Sequence, residues 1–249
     1  MDKIIALITG ASSGLGEQFC RALAGRCDRI IAVARRGDRL ESLAAELADE
    51  VEVIPLIADL ATLEGVARAM EALRQQGPVS ILINNAGFST FGPFAVSNID
   101  LEQKMMRVHM DASVSLCRAA LPYMREQQHG YVINVASVGA FLPLKSSAVY
   151  GASKAFLSSF SSSLQQEEEG NGIRIQCLCP GLTRTEIHDN EAFAGFDKSL
   201  MPDELWMESP AVVEASLAAL DSGQVLVVPG AINQQMVRDS LRAQSELFQ

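Results

Sequence analysis

Seven short apolar runs are spaced along the chain, each followed by a longer stretch with helical periodicity. The runs cover 3–9, 29–34, 51–57, 79–84, 130–136, 173–179 and 224–228. Residues 30–34 read Ile-Ile-Ala-Val-Ala and residues 79–83 read Val-Ser-Ile-Leu-Ile, with almost no polar alternation. Strands of that kind are buried on both faces, as in a parallel sheet covered by helices. Helical spacing follows near 14–25, 37–48, 62–75, 100–127, 149–169, 209–220 and 233–246. Strand–helix alternation predicts an α/β fold: a doubly wound parallel sheet of about seven strands with helices on both faces. At 249 residues, with no repeat or linker, the expectation is one domain over 1–249.

Charge narrows the partners. The chain has 20 basic and 30 acidic residues, a net of −10. That argues against nucleic acid and against anionic membrane surfaces. No apolar run approaches the ~18 residues of a membrane span, and no signal peptide is visible. The five cysteines (Cys20, Cys27, Cys117, Cys177 and Cys179) are odd in number and lack Cys-x-x-Cys spacing, so a reduced, cytoplasmic chain is expected. Cys177 and Cys179 face one side of a strand and read as small buried residues rather than metal ligands. No metal is expected.

Two local patterns carry chemistry. Tyr150 and Lys154 lie at i and i+4 and share a helix face. A lysine cation beside a phenol favours the phenolate and lowers its pKa. Such a pair can give or take a proton near neutral pH, and Ser137 can hydrogen-bond the reacting oxygen. A carbonyl/alcohol oxidoreductase uses this chemistry when a hydride carrier binds beside it. Separately, the first run ends in Thr9-Gly10, and Ser12, Ser13, Gly14, Leu15 and Gly16 lead into a helix. The spacing is Gly-x-x-x-Gly-x-Gly rather than Gly-x-Gly-x-x-Gly. Glycines let a backbone approach a pyrophosphate, and a helix N-terminus supplies N–H groups and positive dipole.

Together, 9–16, Asn84-Asn85-Ala86-Gly87, Ser137, Tyr150/Lys154 and Pro180-Gly181 resemble the short-chain dehydrogenase/reductase family in order and spacing, over nearly the whole chain. The resemblance implies a Rossmann-type domain. It implies Tyr150 as acid in reduction and base in oxidation, Lys154 as its partner and holder of the nicotinamide ribose, and Ser137 on the substrate carbonyl. Asn85, Ala86 and Gly87 would lie beneath the adenosine ribose. Pro180, Gly181, Thr183 and Thr185 would cover the nicotinamide. Asp59, beside Leu60, matches the residue that meets the adenine; it also suits a helix N-cap for 62–75. Asn84 suits a structural turn equally well. The second strand ends in Arg35-Arg36 with no acid. Arginine matches a 2′-phosphate in charge and fork geometry, so NADP(H) is favoured, with NAD(H) the alternative. The other reading of the two arginines is a solvated loop.

His109 falls where the family often has an asparagine that helps relay protons to the lysine. An imidazole there either keeps the relay, with a titration near neutral pH, or is a satisfied helix histidine. Residues 186–208 form the family's variable substrate lid. Phe193, Phe196, Leu200, Met201, Leu205, Trp206 and Met207 suit a cover over an apolar or aromatic carbonyl, or ordinary packing. Glu186, Asp189, Lys198 and Asp203 form no clear anion-binding cluster. The serines of 158–163 suit close helix packing within a homodimer or homotetramer. The leading expectation is an NADP(H)-dependent reductase of small ketones or aldehydes. The alternatives are an NAD-linked alcohol dehydrogenase or epimerase, and a dinucleotide-sensing scaffold of low activity.

Overall fold

The computed structural model describes residues 3–188, 193 and 195–247. The seven apolar runs become seven strands: β1 (Ile5–Thr9), β2 (Arg29–Ala34), β3 (Glu52–Ile57), β4 (Ile81–Asn84), β5 (Gly130–Val135), β6 (Ile173–Leu178) and β7 (Leu226–Val227). They form one sheet in the order β3-β2-β1-β4-β5-β6-β7, and every pairing is parallel. β1 is fully buried, as its unbroken apolar sequence requires. β3 lies at the edge, is half exposed, and accommodates Pro55, whose missing N–H an edge strand tolerates.

Among the described residues, eight α-helices flank the sheet: α1 (Gly14–Leu23), α2 (Gly37–Glu46), α3 (Leu63–Gln75), α4 (Ile99–Met106), α5 (Ala112–Gln127), α6 (Ala148–Glu167), α7 (Ser209–Ala219) and α8 (Ala231–Glu246). The strands alternate their side chains between two cores. Ala6, Ile8, Ile30 and Ala32 pack with Phe19, Leu23, Leu40 and Val212 from α1, α2 and α7. Ile5, Leu7, Ile31 and Val33 pack with Ala69, Leu116, Met124 and Leu164 from α3, α5 and α6. Among the described residues, no helix is long and apolar enough to cross a membrane, and no side-chain cluster suits a metal ion. Cys177 and Cys179 are buried with their sulfurs 3.6 Å apart.

Two expectations are corrected. The single helix expected over 100–127 is two helices joined by a π turn at Arg107–Asp111, with His109 inside it. The N-cap of α3 is Thr62, whose Oγ1 accepts from the Gly65 N–H at 3.0 Å; Asp59 instead accepts from the Ala61 N–H, closing the preceding turn. A polar line also crosses the sheet. Asn84 Nδ2 donates to Asn134 Oδ1 at 2.8 Å, and Asn134 Nδ2 donates to Ser161 Oγ at 2.9 Å. Asn84 is thus a buried structural residue.

Candidate active site

The chain order changes direction between β1 and β4, and at such a switch point the loops leaving the strand ends open a crevice. A cleft of about 610 Å³ lies there. It brings together Gly10, Ser13, Gly14, Leu15, Arg35, Arg36, Asn85, Gly87, Ser137, Tyr150, Lys154, Pro180, Gly181, Thr183 and Thr185. The remaining expected residues lie outside its lining. Thr9 Oγ1 accepts from the N–H groups of Asn85 and Ala86, both at 2.9 Å, and so ties β1 to the 85–87 turn. Ser12 Oγ accepts from Arg36 Nη2 at 3.1 Å. Gly16 lies under Gly10, where a Cβ would collide with the Gly10 carbonyl. Leu60 is in the core and Asp59 is exposed.

The glycine corner has room for a phosphate-bearing group. Gly10 has φ +69°, and a Cβ there would meet Ala86 Cα at 2.9 Å, so the turn needs glycine. Ser13 occupies the N-cap of α1, but its side chain makes no capping bond. The first N–H groups of α1 therefore lack a capping oxygen at the cleft, the arrangement that takes an anion. Arg35 and Arg36 stand beside it. These residues fit the phosphates of a nicotinamide dinucleotide.

At the other arm, α6 presents Tyr150 and Lys154, and the turn after β5 presents Ser137. Lys154 is only 4% exposed; its Nζ donates to the Val135 carbonyl at 2.9 Å. Burial pulls its pKa down to about 8. Burial also raises the Tyr150 phenol above its ordinary value, and the Ser137 hydroxyl pulls it back in part. The lowering by Lys154 expected from the i, i+4 pattern is absent. Nζ lies 5.6 Å from the Tyr150 ring centroid and is engaged with a backbone carbonyl instead.

His109 lies behind this pair, 1% exposed, its ring edge-on to Tyr150 at 5.9 Å. Ser153 Oγ donates to the Tyr150 carbonyl at 2.7 Å, so its contact with His109 Nδ1 at 2.8 Å is one it accepts. That assigns the proton to Nδ1 and leaves Nε2 as an acceptor with no hydrogen bond, facing Gly87. Burial, reinforced by the Lys154 cation, holds the imidazole neutral well below its ordinary pKa, with the Phe88 backbone pulling weakly the other way. Of the two readings of His109, the buried helix histidine without a titration near neutral pH is the one this environment favours. His109 bonds to Ser153 rather than to Lys154.

The lid residues divide. Phe193, Phe196, Met201 and Leu205 line the cleft, whereas Leu200 is exposed and Trp206 stacks under Arg184 at 5.5 Å. Asp203 pairs with Arg184 at 2.6 Å; Asp189 lies outside the described residues. Phe91, which the sequence pattern did not single out, meets Phe193 and Phe196 edge-on at 5.4 and 5.7 Å. Leu142, Leu144 and Met236 complete the apolar wall. Only isolated hydrophobes mark these positions in sequence, and nothing there distinguishes them from core.

A sequence profile of the short chain dehydrogenase family matches residues 4–193. The chain is 33% identical over 196 residues to an NADP-dependent 3-hydroxy acid dehydrogenase of Escherichia coli, covering 78% of each chain. Its fold is similar to that of a short-chain dehydrogenase from Sphingobium yanoikuyae in complex with NADPH (TM-score 0.85, 33% identity, 98% and 95% of the two chains). It is also similar to a bulky-bulky ketone specific alcohol dehydrogenase from Comamonas testosteroni (TM-score 0.80, 28% identity, 99% and 95%).

Proposed function

The chain belongs to the short-chain dehydrogenase/reductase family, whose members are NAD(P)-dependent oxidoreductases, and from that premise we propose an NADP(H)-dependent reductase of apolar ketones or aldehydes. The observation that carries this reading is one cleft with Tyr150 and Ser137 at one arm and paired arginines at the other. Bound NADPH would supply the hydride. Arg35 and Arg36 would hold the 2′-phosphate, the N-terminus of α1 the pyrophosphate, and Lys154, Thr183 and Thr185 the nicotinamide end. Ser137 would orient the substrate carbonyl, and the Tyr150 phenol would give its proton to the carbonyl oxygen. A phenol raised by burial keeps that proton at neutral pH and is in the form that can give it to a carbonyl oxygen. The walls of Phe91, Phe193, Phe196, Leu142 and Leu144 suit an apolar or aromatic substrate.

The test mixes protein, NADPH and a panel of aliphatic and aryl ketones and follows the loss of nicotinamide absorbance. Turnover with NADPH exceeding that with NADH is expected; the reverse order overturns the cofactor assignment. Tyr150→Phe should lose turnover by about 10²–10⁴-fold while still binding NADPH, and retained turnover overturns the acid.

A further inference from the structure

At the adenosine end of the cleft, Arg36 is already held by an anion. Glu186 is separated from it by 150 positions in the chain, yet Arg36 Nη1 donates to Glu186 Oε2 at 2.8 Å. Arg39 stands on the other side of the carboxylate, its Nη2 3.9 Å from Oε1. The remaining edge of the Arg36 guanidinium is turned to Ser12: Nε and Nη2 donate to Oγ at 3.2 and 3.1 Å. Arg35, one residue away, makes no ion pair among the described residues. Arg35, Arg36 and Glu186 all line the same cleft.

We propose that Glu186 competes with the 2′-phosphate of the cofactor for Arg36 and thereby sets how strongly the protein prefers phosphorylated over unphosphorylated dinucleotide. The proposal rests on the NADP(H) reading above. A guanidinium binds anions through its side edge (Nε with one Nη) or its end edge (the two Nη), and here Ser12 engages the side edge while Glu186 takes the Nη1 that completes the end edge. A 2′-phosphate reaching Arg36 must displace the carboxylate or lie beside it, and both outcomes weaken phosphate binding. An unphosphorylated ribose meets no such opposition, because its hydroxyls can donate to the carboxylate. Glu186 stays ionised through the working pH range, because Arg36 holds its pKa below the ordinary carboxylate value. Both partners are roughly half exposed, so the competition is a modest bias and not a block.

The test uses fragments that cannot react. Calorimetry measures the affinities of 2′,5′-ADP and 5′-AMP, which differ only by the 2′-phosphate, for the wild type and Glu186→Gln. Circular dichroism checks that the variant is folded. The ratio of the two affinities is expected to rise about fivefold in the variant, the scale of one exposed ion pair. A wild type that prefers 2′,5′-ADP with an unchanged ratio in Glu186→Gln overturns the competition and leaves the cofactor reading standing. No preference in either protein overturns both. A preference that appears only in the variant supports the competition and shows the carboxylate masking the arginine.

Discussion

Lys154 is a cation held where water barely reaches it, 4% exposed and bonded to a single carbonyl. Its folded pKa of about 8 lies below the ~10.4 of an unfolded lysine. Between those values the unfolded chain binds the proton and the folded one does not. The stability owed to this residue is therefore least below about pH 8 and rises with pH up to about 10, by about 3 kcal/mol at most. Urea unfolding without added cofactor should show wild type gaining on Lys154→Met across pH 8–10; a constant difference contradicts the buried-cation account. The Tyr150/Lys154 pair was legible in sequence because i, i+4 spacing dictates a shared face. Its electrostatics were not, since the Val135 carbonyl that engages Nζ lies on another element. Asp59 shows the same limit. Its place before α3 suggested a cap, but Thr62 lies at the helix start and takes that role. The Arg36–Glu186 contact joins two loops with no pattern in common.

At the scale of elements, the strands were the most readable part, because burial on both faces leaves the central ones, such as β1, β2 and β4, as nearly unbroken apolar runs. The π turn at Arg107–Asp111 was not readable. Residues 100–127 keep helical character throughout, and one widened turn does not disturb the composition. That turn separates α4 from α5 and holds His109 against the 85–87 turn and α6. A Cβ at Gly87 would stand 2.6 Å from His109 Nε2, so these two elements are fitted around glycine. Gly87→Ala should cost about 1–3 kcal/mol in chemical denaturation, and clearly less in a His109→Ala background. Additive costs in the double variant would place the strain elsewhere. Part of the substrate wall stayed hidden for a related reason. Phe91 comes from a different loop from Phe193 and Phe196 of the lid, and only the fold brings its ring within 6 Å of theirs.

Across the whole molecule, the two arms of the cleft belong to different halves of the sheet: β1–β3 carry the glycine corner and the arginines, β4–β6 the reacting residues. A ligand spanning both links the halves, and one that binds only the folded state stabilises it by mass action. NADPH at about a hundred times its dissociation constant should add about 2.7 kcal/mol, raising Tm by roughly 5–10 °C for a chain of this size. A thermal melt with and without NADPH reads this directly, and no shift would contradict binding in the cleft. The register at the join between the halves is also fixed by polar groups. β4 and β5 pair with Asn84 opposite Asn134, and the amides bond to each other and on to Ser161 of α6. Aliphatic side chains elsewhere in these strands would tolerate a shifted neighbour. A slip of one residue points one of these amides at the opposite core, where an unpaired polar group costs about 1–3 kcal/mol. The asparagine pair thus acts as a key that admits one alignment of the two strands, with α6 supplying the last partner.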